Sequence, residues 1–415
     1  MVGKALRERV PRSSPASWRP APGRAPLQIL AEQERSRIPE LLPIRHQRMA
    51  ASPFGFYRGN AAIMAADLAT LPMTGLRAQL CGDAHLQNFG IFATPERHLV
   101  FDVDDFDETL PGPWEWDVLR LCGSVPLAAG AAQLGESLAD QAVFEAAESY
   151  RRWQRRYAKM SPLDVWYARI DVERLADRGG PLADDWRRAV QHAEREPQGG
   201  RFVGDSPYFH RLDERGDRAE RARRAMHQYA ISALPSVRVL LDRYRLSDLA
   251  LKVVGVGSVG TLCLAALMVS ERGDQLVLQL KEAQDSVLEA HLPHSVFSNH
   301  GERVVDGQRL MQAASDVFLG WMRFEDRDLY VRQLADRKAS VELADVSAKA
   351  FVDYAKRCAW ALARAHARSG AGAPIAAYLG RSDEFAGAAV VFARRYARQV
   401  EKDYEAFTAS LQTPR

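Results

Sequence analysis

The chain has 415 residues, 47% of them hydrophobic, and its 56 lysines and arginines against 53 aspartates and glutamates leave a formal net charge of +3. That length and apolar content suit a globule of about two lobes, and the near balance of charge argues against a nucleic-acid binder. The four cysteines (Cys81, Cys122, Cys263 and Cys358) lie far apart with no Cys-x-x-Cys spacing, so neither a disulfide framework nor a zinc site is implied and a reducing, cytoplasmic compartment fits best.

No run approaches the roughly 18 apolar residues of a membrane span. Residues 1–26 mix Arg7, Arg9, Arg12, Arg19 and Arg24 with proline and serine and lack an apolar leader core; we expect a disordered basic tail. From Leu27 to about Leu71 the pattern is helical, broken at Ser52-Pro53-Phe54-Gly55. A short strand then leads to the polar loop Gly82-Asp83-Ala84-His85-Leu86-Gln87-Asn88, and a second strand covers Leu99 to Asp104. Residues 135–245 read as mostly helical, with a Gly/Asp/Arg-rich interruption near 177–218. From about Leu249 the texture turns β-like: Leu249–Gly255, Thr261–Ser270, Gln275–Lys281 and Asp328–Gln333 are strand candidates. Helices are expected over Glu302–Ala314, Ser347–Ser369 and Glu384–Leu411. The organisation expected is a helical lobe over 27–225, a β-rich lobe over 226–340, and C-terminal helices over 341–415 that complete the helical lobe.

Two constellations carry chemistry. Phosphoryl transfer needs a carboxylate to orient the acceptor hydroxyl and, a few residues on, an amide oxygen to hold magnesium. Asp83 and Asn88 have those side chains at an interval of five, the spacing of kinase catalytic loops. Asp102 follows on a strand, and period-two alternation puts Asp104 on its side; hard oxygen ligands of this kind suit magnesium. Capping and solvation account for any one of these residues, but acids embedded in the apolar run 99–108 are costly unless paired or metal-bound.

The second constellation is Gly255-Val256-Gly257-Ser258-Val259-Gly260, followed by Lys281 at the end of an apolar strand. Glycines let backbone N–H groups approach phosphate, and a buried-strand lysine neutralises nucleotide phosphates. A snorkelling surface lysine is the bland alternative. The expected carboxylate partner of Lys281 is Glu302, with Glu289 in reserve. The same glycine run also fits a dinucleotide-binding turn, provided that Thr261–Met268 is a helix.

Kinases run glycine loop, lysine, helix glutamate, catalytic loop, then metal carboxylate. Here the catalytic loop comes first. A circular permutation reconciles the two, with the helix ending Leu362–Ala367 standing where the chain would lead into the loop at Asp83. Gly82-Asp83-x-His85-x-x-Asn88, Phe101-Asp102, Gly112-Pro113, Asp117 and Leu362–His366 resemble the catalytic segments of aminoglycoside phosphotransferases and choline kinases, with Cys81 where those families carry histidine. Over about residues 45–370 the chain resembles a bacterial family called domain of unknown function 2252. The segments carrying that likeness include Arg48-Met49, Tyr57-Arg58-Gly59, Cys81–His85, Phe101–Glu108, Lys281-Glu282-Ala283 and Tyr330–Leu334.

The resemblance implies an α+β, protein kinase-like fold of two lobes, circularly permuted. The expected function is an ATP- and magnesium-dependent phosphotransferase acting on a hydroxyl acceptor, a small molecule, with a protein substrate not excluded. Asp83 is the expected catalytic carboxylate, Asn88, Asp102 and Asp104 the magnesium ligands, and Gly255, Gly257, Ser258, Gly260, Lys281 and Glu302 the nucleotide site. Arg58 and His85 are candidate phosphate or substrate contacts, against plain salt-bridge and loop-bracing roles. A nucleotide-binding pseudokinase and a nicotinamide-dependent oxidoreductase are the alternatives.

Overall fold

The computed structural model describes residues 2–195, 202, 209–211, 217–253, 255–334 and 338–412. The chain is α+β. Of the Gly/Asp/Arg-rich stretch near 177–218, residues 196–201, 203–208 and 212–216 lie outside the described set.

Four short strands form two small antiparallel pairs. β1 (Arg77–Leu80) pairs with β4 (Leu110–Pro113), and β2 (Phe89–Ala93) forms a hairpin with β3 (Leu99–Val103). The remaining strands are β5 (Phe209–Arg211), β6 (Tyr244–Lys252), β7 (Cys263–Ser270), β8 (Gln275–Glu282), β9 (Gly320–Phe324) and β10 (Arg327–Gln333). They make one antiparallel sheet in the order β5-β6-β7-β8-β10-β9. Because β7 is a strand registered against β8, the helix that a dinucleotide-binding turn needs after Gly260 does not form.

Alternation in β8 sorts its side chains cleanly. Leu276, Leu278 and Leu280 join the core between the sheet and the helix Asp217–Ser232, which also holds Leu329 and Val331 of β10. Val277, Gln279 and Lys281 face the other way. A second, larger core gathers the helices Trp114–Ala131, Glu136–Tyr157, Ala348–Arg368 and Glu384–Gln412 around β1 to β4. No helix among the described residues is long and apolar enough to cross a membrane.

The expected disordered tail is ordered instead. Val2–Arg9 is a helix, Trp18 is buried against Phe392 and Tyr396, and Arg7, Arg12 and Arg24 find acceptors on the C-terminal helices. Arg7 donates to the carbonyls of Ala377 and Tyr378, Arg12 pairs with Glu384, and Arg24 bridges Asp67 and Asp403 at 2.6 and 2.7 Å. Composition suggested too little apolar surface for order; one tryptophan and a set of charge-assisted bonds supply the anchorage.

Candidate functional site

A cleft of about 780 Å³ lies between the glycine loop, the loop 82–88, the acid run 104–108 and the segment after β8. Just before Asp83, Gly82 turns the chain with φ +85°, and a Cβ there would stand 2.2 Å from the Glu108 carbonyl oxygen, so only glycine fits. Asp117, in the first turn of the helix Trp114–Ala131, accepts the backbone N–H groups of Cys81 at 2.9 Å and Gly82 at 3.0 Å. It also meets His366 Nε2 at 3.2 Å. One buried carboxylate therefore ties the loop to two helices.

Asp83 enters the cleft. Its Oδ1 accepts from Arg120 Nε at 2.7 Å, and its Oδ2 lies 3.8 Å from His85 Nε2. Burial raises the Asp83 carboxyl above the usual carboxylate range, although Arg120 opposes this. Burial, with Arg58 and Arg120 nearby, pushes His85 well below the ordinary imidazole value, so its ring is neutral. Arg58 lines the cleft beside Asp83.

Asn88 locks the loop to the acid run. Its Nδ2 donates to the carbonyls of Asp83 and Asp105 at 2.9 and 3.2 Å, and its Oδ1 accepts from the Asp105 N–H at 2.8 Å. Asp105 is thus set beside Asn88 at the end of β3. Its carboxylate lies 3.2 Å from Lys281 Nζ, and Asp107 reaches the same ammonium at 2.5 Å. Burial would raise Asp105, but Lys281 and Arg332 hold it below the usual carboxylate range. Asp107 is raised by burial and by Asp105. Burial alone would lower Lys281; Asp105 and Asp107 overcome that and hold it well above the usual lysine value. Tyr330 OH and Ser258 Oγ donate to Asp107 at 2.9 and 3.1 Å.

Three expectations need correction. Asp102 does not reach the cleft: it is 1% exposed, and its oxygens accept from Arg364 Nη2 at 2.7 Å and from the N–H groups of Val103 and Ala313. β3 stops at Val103, so alternation does not carry on to Asp104, which turns to Lys338 at 2.7 Å and does line the cleft. Lys281 pairs with neither Glu302 nor Glu289. Glu302 sits in the first turn of the helix His300–Met311, makes no ion pair among the described residues and does not line the cleft. Glu289 is occupied by a capping box with Ser286 and by the Ser295 N–H. That helix sends Arg303 toward the acid run instead, onto the carbonyls of Asp107 and Thr109 at 2.9 and 2.7 Å.

Of the glycine-loop residues, Gly255, Val256, Gly257 and Ser258 line the cleft, whereas Gly260 is turned against Arg37. Sequence reasoning missed Asp105, Asp107, Arg120 and Arg303. The Asp-Phe-Asp run directly after an apolar strand could have signalled the first two; nothing in spacing marks the arginines. Asp105, its side chain 41% exposed, and Asn88, whose Oδ1 already accepts the Asp105 N–H, bring to adjoining positions the hard oxygen chemistry that suits a divalent cation.

Fold and cleft together define an α+β protein with a glycine loop, a buried lysine and an acid cluster meeting at one site. Residues 37–410 match the family described as an uncharacterised protein conserved in bacteria (DUF2252), and the chain belongs to that family. No curated protein and no solved structure matches the chain.

Proposed function

We propose that the protein is an ATP- and magnesium-dependent phosphotransferase with a circularly permuted, protein kinase-like arrangement. The observation that carries this reading is the meeting of Lys281 with Asp105, 176 residues apart in sequence, directly behind Asn88 and Asp83. Kinases require this juxtaposition of strand lysine, metal carboxylate, amide and catalytic carboxylate.

Other relationships support it. The run β6, glycine loop, β7, β8 with Lys281, helix His300–Met311, β9 and β10 follows the order of a kinase nucleotide lobe. Asp105-Phe106-Asp107 follows its strand as the metal-binding Asp-Phe-Gly of kinases does. The helix Ala348–Arg368 ends against β1, where the Gln79 N–H donates to Ser369 Oγ at 3.2 Å, so the break in motif order falls where the chain ends of a permuted kinase would meet.

In this reading the N–H groups of the glycine loop, Lys281 and Arg58 hold the nucleotide phosphates. Asn88 and Asp105, with Asp104 close by, hold magnesium, which would neutralise charge on the transferred group. Asp83, fixed by Arg120, orients the acceptor hydroxyl and takes its proton. The acceptor oxygen bonds to the terminal phosphorus, the bond to the bridging oxygen breaks, and ADP leaves with that electron pair. The acceptor is a hydroxyl compound small enough for the cleft. Nucleotide binding without transfer is the second reading, favoured by the close hold of Arg120 on Asp83.

The test is thermal stabilisation by ATP with and without magnesium, on wild type, Lys281→Ala and Asp105→Ala. At 100 times its dissociation constant a ligand adds about 2.7 kcal/mol to the folded state. Magnesium-dependent stabilisation in wild type, lost in both variants, is the expected result; no response to ATP in the wild type refutes the proposal.

A further inference from the structure

The backbone carbonyls of the glycine loop are held mostly from one side, while the Ser258 side chain reaches Asp107 on the other. All six of its carbonyls have donors, and five of these come from the segment 37–48. Arg48 donates to the Gly255 carbonyl; Arg45 donates to those of Val256 and Gly257 at 3.1 and 2.8 Å. Arg37 takes Val259 at 2.5 Å, and the Ile38 N–H takes Gly260 at 2.7 Å. The Ser258 carbonyl accepts from Thr261 within the loop. By contrast, the N–H groups of Gly255, Val256, Gly257 and Ser258 find no acceptor among the described residues.

In a peptide unit the C=O and the next N–H point in opposite directions. Pulling the carbonyls of Gly255, Val256 and Gly257 toward Arg45 and Arg48, which do not line the cleft, turns the N–H groups of Val256, Gly257 and Ser258 the other way. These residues do line the cleft. Consecutive free N–H groups after a residue with positive φ, here Gly255 at +67°, form an anion-binding concavity. Arg45 is completely buried and also donates to the Gly59 carbonyl at 2.6 Å, while Glu34 stands 3.5 Å from its Nε. Its fork thus spans the loop and the chain that leads to the loop at Asp83, a geometry that lysine cannot reproduce. At Gly260 (φ +97°) a Cβ would stand 2.9 Å from the Arg37 Cβ, so the brace packs flush against the loop.

We propose that the segment 37–48 is an arginine brace, with Arg37, Arg45 and Arg48 as positioning residues that preset the glycine loop as a cradle for a polyphosphate. The identity of the polyphosphate as that of a nucleotide rests on the function proposed above; the brace does not.

The experiment compares wild type, Arg48→Ala and Arg45→Lys by titration with tripolyphosphate and with ATP, both with magnesium, and by hydrogen exchange at the Val259 and Thr261 amides, which close the loop's internal turns. Arg48→Ala serves as the variant that leaves the buried fork intact, should Arg45→Lys fail to fold. Expected are faster exchange at the loop and affinity lowered about 10-fold for both ligands, the loss of roughly one hydrogen bond to a charged group. Unchanged exchange in a folded variant overturns the brace, as does faster exchange with unchanged affinity. Binding of tripolyphosphate but not ATP, with both effects present, leaves the brace standing and removes the nucleotide. Binding of neither ligand by wild type overturns the cradle and the nucleotide reading together.

Discussion

Asp102 on β3 and Arg364 on the helix Ala348–Arg368 form a fully buried ion pair at 2.7 Å, across 262 residues of sequence. The pair joins the hairpin behind the cleft to the C-terminal part of the chain, and Arg364 also donates to the Met311 carbonyl at 2.6 Å. Removing one partner of such a pair strands the other charge in the core. Asp102→Ala should therefore cost about 3–5 kcal/mol of unfolding free energy. Urea unfolding with and without magnesium checks this. The loss should be the same in both conditions, because Asp102 braces the fold and does not touch the cleft; a loss seen only with magnesium would return Asp102 to the metal site.

Asp117 makes a sharper demand on the loop. Its two oxygens take the N–H groups of Cys81 and Gly82, and each buried N–H left without an acceptor costs about 1–3 kcal/mol. Asp117→Ala should destabilise the protein by several kcal/mol, and Gly82→Ala by a comparable amount through its φ and its contact with the Glu108 carbonyl. Thermal unfolding of both variants reads this directly; a Gly82→Ala variant of wild-type stability would show that the turn at Gly82 is not the one described.

The sequence was legible where local pattern decides. The alternation of Leu276, Leu278 and Leu280 places β8 and turns Lys281 away from them; amphipathic spacing places the helices Ala348–Arg368 and Glu384–Gln412 within a residue or two. The interval between Asp83 and Asn88 marks a loop that does line the cleft. Among Asp102, Asp104, Asp105 and Asp107, the Asp-Phe-Asp run is a local signal for the last two, but period-two alternation points to the first two, and the outcome depends on where β3 stops and on partners far away: Arg364, Lys338 and Lys281. The same holds for the N-terminal arginines. Their count suggests a solvated tail, and distant acceptors explain why they are ordered: carbonyls and carboxylates of the C-terminal helices, with Asp67 and the Thr74 carbonyl.

Glu108 supplies a pH signature. Burial is the main cause that raises its carboxyl from 4.5 to about 7, although it accepts the Val287 N–H at 2.7 Å. A group whose folded value lies above its unfolded value keeps its proton longer in the native state. Its contribution is therefore fully present below about pH 4.5 and is lost as pH rises to about 7. Stability should fall across that window, by on the order of 1–3 kcal/mol from this group, and level off above it. Glu108→Gln keeps an acceptor for Val287 and does not titrate. The difference in unfolding free energy between variant and wild type, measured from pH 4.5 to 8, should grow in favour of the variant; a constant difference would remove Glu108 as the cause.

The roles of Asp83 and Lys281 separate by substitution. Asp83→Asn preserves an oxygen for Arg120, which also keeps its bond to the Tyr57 carbonyl at 2.7 Å, so loop geometry and nucleotide affinity should stay near wild type. An amide cannot take a proton from the acceptor, and turnover with a hydroxyl acceptor should fall about 10²–10⁴-fold. Lys281→Met does the reverse at the first step: it leaves Asp105 and Asp107 facing each other without their shared cation, so it should weaken ATP binding and destabilise the unliganded protein together. ATP affinity by titration, beside ATP hydrolysis or transfer rates, distinguishes the two. Retained turnover in Asp83→Asn would mean that the carboxylate held by Arg120 is structural and that the protein binds a nucleotide without transferring phosphate through this residue.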